Sequence, residues 1–318
     1  MNPTWETAVQ EAKHCGFSHA VLIPAHEYSE LAHNAESIKQ RILNNPADVL
    51  QSAKSVMVAV MPFSWFGPWP DDCAEVSAFY FQSQIAYMSM RALARKLEGF
   101  GACVTDSQRL PAKLVAQEAG IGRIGRNSLL HNNAWGSCIT IHTLVTDIAP
   151  PQHAADVLPA PECGACKRCV DACPTGALDG TGYVDVSRCI RAHMLRGETV
   201  PMTLRDAMGM RLLGCEICQR VCPHNQHITA IPSTAASLFS LTKMLQGNPT
   251  DINIIGKILG SNEARPQRIQ SQAILAAGNS LDPAYLPMLK ELTQHERPSI
   301  HAHAEWAVKK IQRSGGKC

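Results

Sequence analysis

The hydrophobic pattern divides the chain into an N-terminal stretch that mixes two periods and a C-terminal stretch that has one. Residues 4–17 place Trp5, Val9, Ala12 and Phe17 at helical spacing. Residues 19–24 form a short apolar strand, and 55–63 (Ser-Val-Met-Val-Ala-Val-Met-Pro-Phe) is a second, buried by its β-branched content. Residues 75–99 lack Gly and Pro until their end and are rich in Ala, Met and Leu, which predicts a long helix. A strand follows over 102–105, ending at Asp106-Ser107. A helix over 111–119 stops at Gly120, and a last strand covers 138–147. Prolines at 150, 151, 159 and 161 bracket a polar linker. Beyond residue 231 the pattern is helical throughout. Arg265-Pro266 and Arg297-Pro298 start two successive units, with an amphipathic helix over 282–293 between them. The pairing suggests a HEAT-like arrangement; an ordinary helical cap is the plain alternative.

The fold class expected is therefore α+β, in three parts: 1–150, 151–230 and 231–318. With 318 residues, 45% hydrophobic and 18% charged, the chain is long enough for a core and too apolar for disorder. A net charge of +2 neither demands nor excludes a nucleic-acid partner. No apolar run reaches the roughly 20 residues of a membrane span, and the first residues do not resemble a secretion signal, so a cytoplasmic location is expected.

Thirteen cysteines change the picture, because eight fall between residues 163 and 222. Cys163-x2-Cys166-x2-Cys169-x3-Cys173-Pro174 is the spacing of bacterial ferredoxins, in which three thiolates wrap one four-iron cluster and the fourth serves another. The second set is Cys189 with Cys215-x2-Cys218-x3-Cys222-Pro223. One cluster would take Cys163, Cys166, Cys169 and Cys222, the other Cys173, Cys189, Cys215 and Cys218. Two zinc sites would also use eight thiols, but they do not account for the repeated Cys-Pro rhythm. The five remaining cysteines read as small buried hydrophobes.

Two clusters carry electrons singly and leave no iron open for substrate, so the chemistry belongs elsewhere. The N-terminal part has no dinucleotide site: Gly120-x-Gly122-x-x-Gly125 ends a helix instead of following a strand. A metal-centred or corrinoid cofactor is the better match for a one-electron donor.

The order Val104-Thr105-Asp106-Ser107, Ala119-Gly120-Ile121-Gly122-Arg123-Ile124-Gly125-Arg126-Asn127-Ser128, the ferredoxin run, Arg188-Cys189-Ile190 and Gly214-Cys215-Glu216-Ile217-Cys218 resembles the epoxyqueuosine reductase family. Ala276-Ala277-Gly278-Asn279 and His303-Ala304-Glu305-Trp306-Ala307 resemble its C-terminal segment. The resemblance implies a nitroreductase-like domain binding base-off cobalamin, a double-cluster ferredoxin-like module and HEAT-like helices that bind tRNA. It implies reduction of an epoxide to an alkene in a tRNA wobble nucleoside, with electrons passing through two 4Fe-4S clusters to cobalt. A flavodoxin or ferredoxin would supply them, and no membrane is involved.

By the same resemblance Asp106 is the proton donor and a cofactor contact. Its plain alternative is a turn cap. Arg41, Asn127, Ser128, Gly136, Ser137 and Arg191 fall where the family's cofactor loops lie. For Gly136 and Ser137 the alternative is a Gly-rich turn, and for Arg41 and Arg191 a solvated surface arginine.

The chain also departs from the family. Residues 65–73 lack its Tyr-His pair, Arg109 and Ala112 replace a Pro and a Glu, Arg126 replaces a Lys, and Arg191-Ala192 replaces Ser-Tyr. These changes fall on the substrate-facing side. They keep open a related corrinoid iron–sulfur reductase of another electrophile, in the manner of reductive dehalogenases, or a corrinoid-binding electron-transfer protein without tRNA activity.

Overall fold

The computed structural model describes residues 3–28, 45–106, 109–152 and 157–315. Its N-terminal sheet has four strands: β1 (His19–Pro24), β2 (Ser55–Pro62), β3 (Val104–Asp106) and β4 (Ile139–Thr146). They lie in the order β1-β2-β4-β3, and every neighbouring pair is antiparallel. Side chains alternate between two cores. Leu22, Met57, Ala59 and Leu144 pack on Ala8 and Ala12 of helix α1 (Trp5–His14) and on Met90, Leu93 and Leu97 of helix α2 (Ala78–Gly99). Val21, Ile23, Val58, Val60 and Val145 pack the other way, on Val115 and Ala116 of helix α3 (Ala112–Glu118). A strand covered on both faces needs no polar alternation, which is why 55–62 reads as one apolar run.

The long helix begins later than its composition predicts. Ser77 caps it, accepting from Phe79 N–H at 3.2 Å, while Ser77 N–H donates to Leu213 O at 2.9 Å. Glu75–Val76 instead forms a short parallel ladder with Arg211–Leu213. Tertiary pairing overrides helix propensity there. The strand expected over 102–105 is shifted to Val104–Asp106.

The cysteine-rich segment carries four short helices, α4 (Arg168–Asp171), α5 (Ile190–Arg196), α6 (Met202–Met208) and α7 (Ile217–Arg220). The C-terminal part is helical: α8 (Leu241–Gln246), α9 (Pro249–Leu259), α10 (Pro266–Ser280), α11 (Leu286–Leu292) and α12 (Pro298–Gly315). Both Arg-Pro positions do start helices, because Pro suits the first turn, where an N–H would go unpaired anyway. The expected helix at 282–293 splits into a 3₁₀ turn, Pro283–Tyr285, and α11.

The parts share cores. Val76 and Tyr80, Leu212 and Leu213, and Phe239, Leu245, Ile274 and Ala277 lie in one apolar cluster. Buried Arg205 on α6 donates to Val200 O and to Ala302 O, both at 2.9 Å, which ties the cysteine-rich segment to α12. Among the described residues no helix is long and apolar enough to cross a membrane.

Candidate functional site

Two cavities divide the cluster-type cysteines between them. The smaller is lined by Cys163, Cys166, Cys169 and Cys222, together with His131 and His224. The larger, of about 480 Å³, is lined by Cys173, Cys189, Cys215 and Cys218. The structure thus brings the eight thiols together in the two groups of four that the spacing predicts. Among the described residues no three His, Cys, Asp or Glu side chains converge on a point suited to a single metal ion. Four thiols lining one void suit the four corners of a 4Fe-4S cluster.

Polar groups support both sets. Arg126 N–H points at Cys163 Sγ (3.5 Å) and Ala177 N–H at Cys173 Sγ (3.3 Å). Burial opposes ionisation of Cys173, but hydrogen bonds from the Thr175 and Ala177 backbone outweigh it and lower this thiol. Burial raises Cys218 and Cys215, and at Cys218 the neighbouring cysteines add to it. The Arg126 guanidinium forks onto the carbonyls of Gly180 and Gly164, each at 2.7 Å, and so holds the cluster loop against the N-terminal domain. The planar fork offers the two carbonyls separate donors in a fixed geometry.

The larger cavity has apolar walls, including Phe63, Phe79, Leu130, Ile139, Leu178 and Ile217, with a few polar groups set among them. Such a surface suits a large, mostly apolar ring edged with amides. Asn127, Ser128, Ser137 and Arg191 all line it. Arg191 thus lines the cavity while remaining exposed. Asn127 belongs to both cavities. Its Oδ1 accepts from Leu129 N–H (3.2 Å) and His131 Nε2 (2.9 Å), while its buried Nδ2 has no partner. Buried amide donors are rarely left unpaired, so this one fits a ligand acceptor. Ser128 has φ +61, a left-handed conformation uncommon outside Gly. Its carbonyl and hydroxyl accept from Lys113 Nζ at 2.6 and 3.1 Å. Lys113 also lines the cavity, and burial, with the Arg191 charge adding to it, pushes its ammonium below the ordinary value. Sequence reasoning missed Lys113, since a lysine in the first turn of a short helix gives no signal of its own.

Gly136 is not on the cavity wall. A Cβ there would lie 2.0 Å from Asn225 Oδ1 and 2.8 Å from His224 O, so its bare Cα is what lets the turn after Cys222-Pro223 approach. Asn225 Oδ1 accepts from Ser137 N–H at 2.8 Å, and its Nδ2 donates to Ser137 Oγ at 3.0 Å. Gly122 plays a similar part in the glycine motif: its Cβ would lie 2.4 Å from His131 O, where the hairpin Arg123–Ile124 and Leu130–His131 crosses.

Asp106 ends β3 in register with Leu144 and is not among the described residues lining the cavity. Its Oδ1 is buried without a partner. Burial raises its carboxyl above the ordinary value, against the pull of Arg91. Arg41 lies outside the described residues.

Comparison with known proteins gives this arrangement its context. Residues 162–225 match the family model of a 4Fe-4S double cluster binding domain, so the cysteine-rich segment is an iron–sulfur module. An epoxyqueuosine reductase of Bacillus subtilis (strain 168) is 33% identical over 216 residues, 65% of this chain and 55% of that protein. One from Lactococcus garvieae (strain Lg2) is 31% identical over 218 residues, 66% of this chain and 61% of that protein. The alignments thus span little more than half the length of these curated relatives. Over the fold the likeness is wider. The structure of epoxyqueuosine reductase from Streptococcus thermophilus superposes with a TM-score of 0.81 at 23% identity, covering 97% of this chain and 90% of that one. An epoxyqueuosine reductase solved with an epoxyqueuosine-modified tRNA-Tyr stem loop gives 0.80 at 24%, covering 96% and 89%.

Proposed function

We propose that this chain, a homologue of the epoxyqueuosine reductases, is a corrinoid-dependent iron–sulfur reductase acting on the epoxide of epoxyqueuosine in tRNA. The observation that carries the reading is the composition of one cavity. The four thiols of the second cluster set face the same space as Asn127, Ser128 and Ser137. An electron carrier held there opens straight onto a ligand site, with no protein layer between.

Cys163, Cys166, Cys169 and Cys222 would hold one 4Fe-4S cluster, and Cys173, Cys189, Cys215 and Cys218 the other. Cobalamin in its base-off form would occupy the larger cavity and supply a metal that takes up electrons one at a time. Asn127 and Ser128 would bind the amides at the ring's edge. Buried Ser137, held by Asn225 and by Gln219 (Nε2 to Oγ, 3.1 Å), would keep one wall rigid. Arg41 joins this proposal on the family resemblance alone. Taking an epoxide to an alkene removes oxygen as water and consumes two electrons and two protons. Asp106, whose carboxyl burial raises above its ordinary value, would give a proton to the leaving oxygen from the end of β3.

The N-terminal layers would be the nitroreductase-like part (1–150), the cysteine-rich segment the ferredoxin-like part (151–230), and α8–α12 HEAT-like helices for tRNA (231–318). Arg265 and Arg313 would supply basic charge there, with Arg268, Lys309 and Lys310, which are paired to Glu263, Glu305 and Asp206, adding less. A flavodoxin or ferredoxin in the cytoplasm would deliver electrons.

The test is turnover of epoxyqueuosine-containing tRNA by anaerobically reconstituted protein given a chemical reductant. Queuosine should form only with both iron–sulfide and cobalamin added. Full loading with both, and no product, would set the tRNA substrate aside.

A further inference from the structure

One feature of the larger cavity is left over by its role as a ring pocket. Its described lining includes two cations, Lys113 and Arg191, and no aspartate or glutamate. Neither cation is ion-paired among the described residues. The nearby Glu263 is instead 3.5 Å from Arg268. A 4Fe-4S cluster on four thiolates is anionic, and Arg191, two residues after Cys189, offsets part of that charge. Lys113 has no such partner. It comes from α3 in the N-terminal domain, and what holds it is Ser128: the strained φ of +61 accompanies a carbonyl and a hydroxyl at 2.6 and 3.1 Å from Nζ. An ammonium has three donors, so one stays free, and the guanidinium of Arg191, part of which faces the Tyr80 hydroxyl, brings further donors to the same walls. Packing alone does not explain a backbone strained at Ser128 that holds a lysine against the wall of an apolar cavity.

We propose that Lys113 and Arg191 form a subsite for a phosphate-class oxyanion carried by the ligand in this cavity. The inference rests on the cavity being the ligand site proposed above. Two sources share this chemistry: the phosphate in the nucleotide tail of the corrinoid, and a phosphate of a nucleotide substrate.

Binding measurements separate them. Full-length protein is reconstituted with iron and sulfide, and each variant's iron content is compared with the wild type as a check on folding. Affinities are measured for cobinamide and for cobinamide phosphate, which differ by one phosphate group, and then for inorganic phosphate on corrinoid-loaded protein. If the tail is the source, the wild type prefers cobinamide phosphate by about tenfold or more, and Lys113→Gln and Arg191→Gln remove the preference. If the substrate is the source, the loaded protein binds inorganic phosphate, and both variants weaken it by about tenfold. Arg191→Lys keeps most of either effect, because charge remains. The inference is overturned if both glutamine variants, with full iron, leave both measurements within about twofold of wild type, or if wild type shows neither preference nor phosphate binding. Should neither corrinoid bind while unloaded protein binds phosphate and the variants lose it, the subsite stands and the corrinoid proposal falls. Lys113 lies outside the cysteine motifs, so its variant remains informative even if Arg191→Gln fails to assemble its clusters.

Discussion

Asn127 and His131 form a pair, Oδ1 to Nε2 at 2.9 Å, that joins the walls of the two cavities. The Leu129 N–H, which also donates to Oδ1, fixes that atom as the oxygen, so Nε2 carries the proton. His131 is 3% exposed, and burial, helped by the charge of His224, lowers its pKa to about 4. It is therefore neutral throughout the physiological range.

His131→Leu keeps the volume and removes the hydrogen bond, leaving Asn127 half-satisfied in a buried site. Asn127 Oδ1 keeps the Leu129 N–H, so a loss of roughly 0.5–1.5 kcal/mol is expected in denaturant unfolding, together with weaker corrinoid binding as Asn127 loses its orientation. Unchanged stability and unchanged binding would mean that the pair holds nothing. The sign with pH also follows. Unfolded His131 binds a proton near 6.5 and folded His131 only near 4, so the stability it confers is present above 6.5 and is lost as pH falls towards 4. The leucine variant should show a shallower loss over that interval.

Gly136→Ala should be more damaging than a surface methyl group. The new Cβ meets Asn225 Oδ1 at 2.0 Å and the His224 carbonyl at 2.8 Å, at a φ of +54 that L-residues resist. The turn after Cys222 must retreat, and with it the fourth thiol of the first set. Reduced iron content on reconstitution, with cavity-wall variants such as Lys113→Gln as the comparison, checks this. A variant that takes up iron like wild type would show that the approach is not needed.

These two cases show where the sequence was legible. The thiol groupings followed from spacing, because ferredoxin loops are local and their register is written in the cysteines themselves. The sheet followed from β-branched runs, and the C-terminal helix starts followed from Pro266 and Pro298. What was hidden is long-range. Glu75 reads as helix until its ladder with Arg211 is known. Gly136 reads as a cofactor-loop glycine until Asn225, 89 residues on, fills the space. Lys113 acquires meaning only from the conformation of Ser128. Arg126 reads as an exchange for lysine that keeps charge and alters geometry, but not as the fork that bridges Gly164 and Gly180. No single window of sequence contains both ends of any of these contacts.

Asp106→Asn separates chemistry from stability. Burial raises the folded carboxyl above 3.8, so the folded state holds its proton more tightly than the unfolded chain. The associated stability is fully present below 3.8 and is lost as pH rises through the folded value. The asparagine variant lacks that loss, so relative to wild type it should gain stability from acid to neutral pH. Its turnover should fall by about 10²–10⁴, the usual contribution of a general acid. A variant with full turnover would remove Asp106 from the reaction. One whose stability relative to wild type did not rise with pH would contradict the burial argument.

The central claim is that the cluster of Cys173, Cys189, Cys215 and Cys218 faces the corrinoid, and that the other cluster stands behind it. Pulsed EPR on reduced protein loaded with paramagnetic cobalamin tests this directly, by reading the magnetic coupling between cobalt and each cluster. The strong coupling should vanish in Cys215→Ser and persist in Cys166→Ser. Coupling that survives the first substitution and is lost in the second, or a cluster-replete protein that binds no cobalamin, would contradict the account.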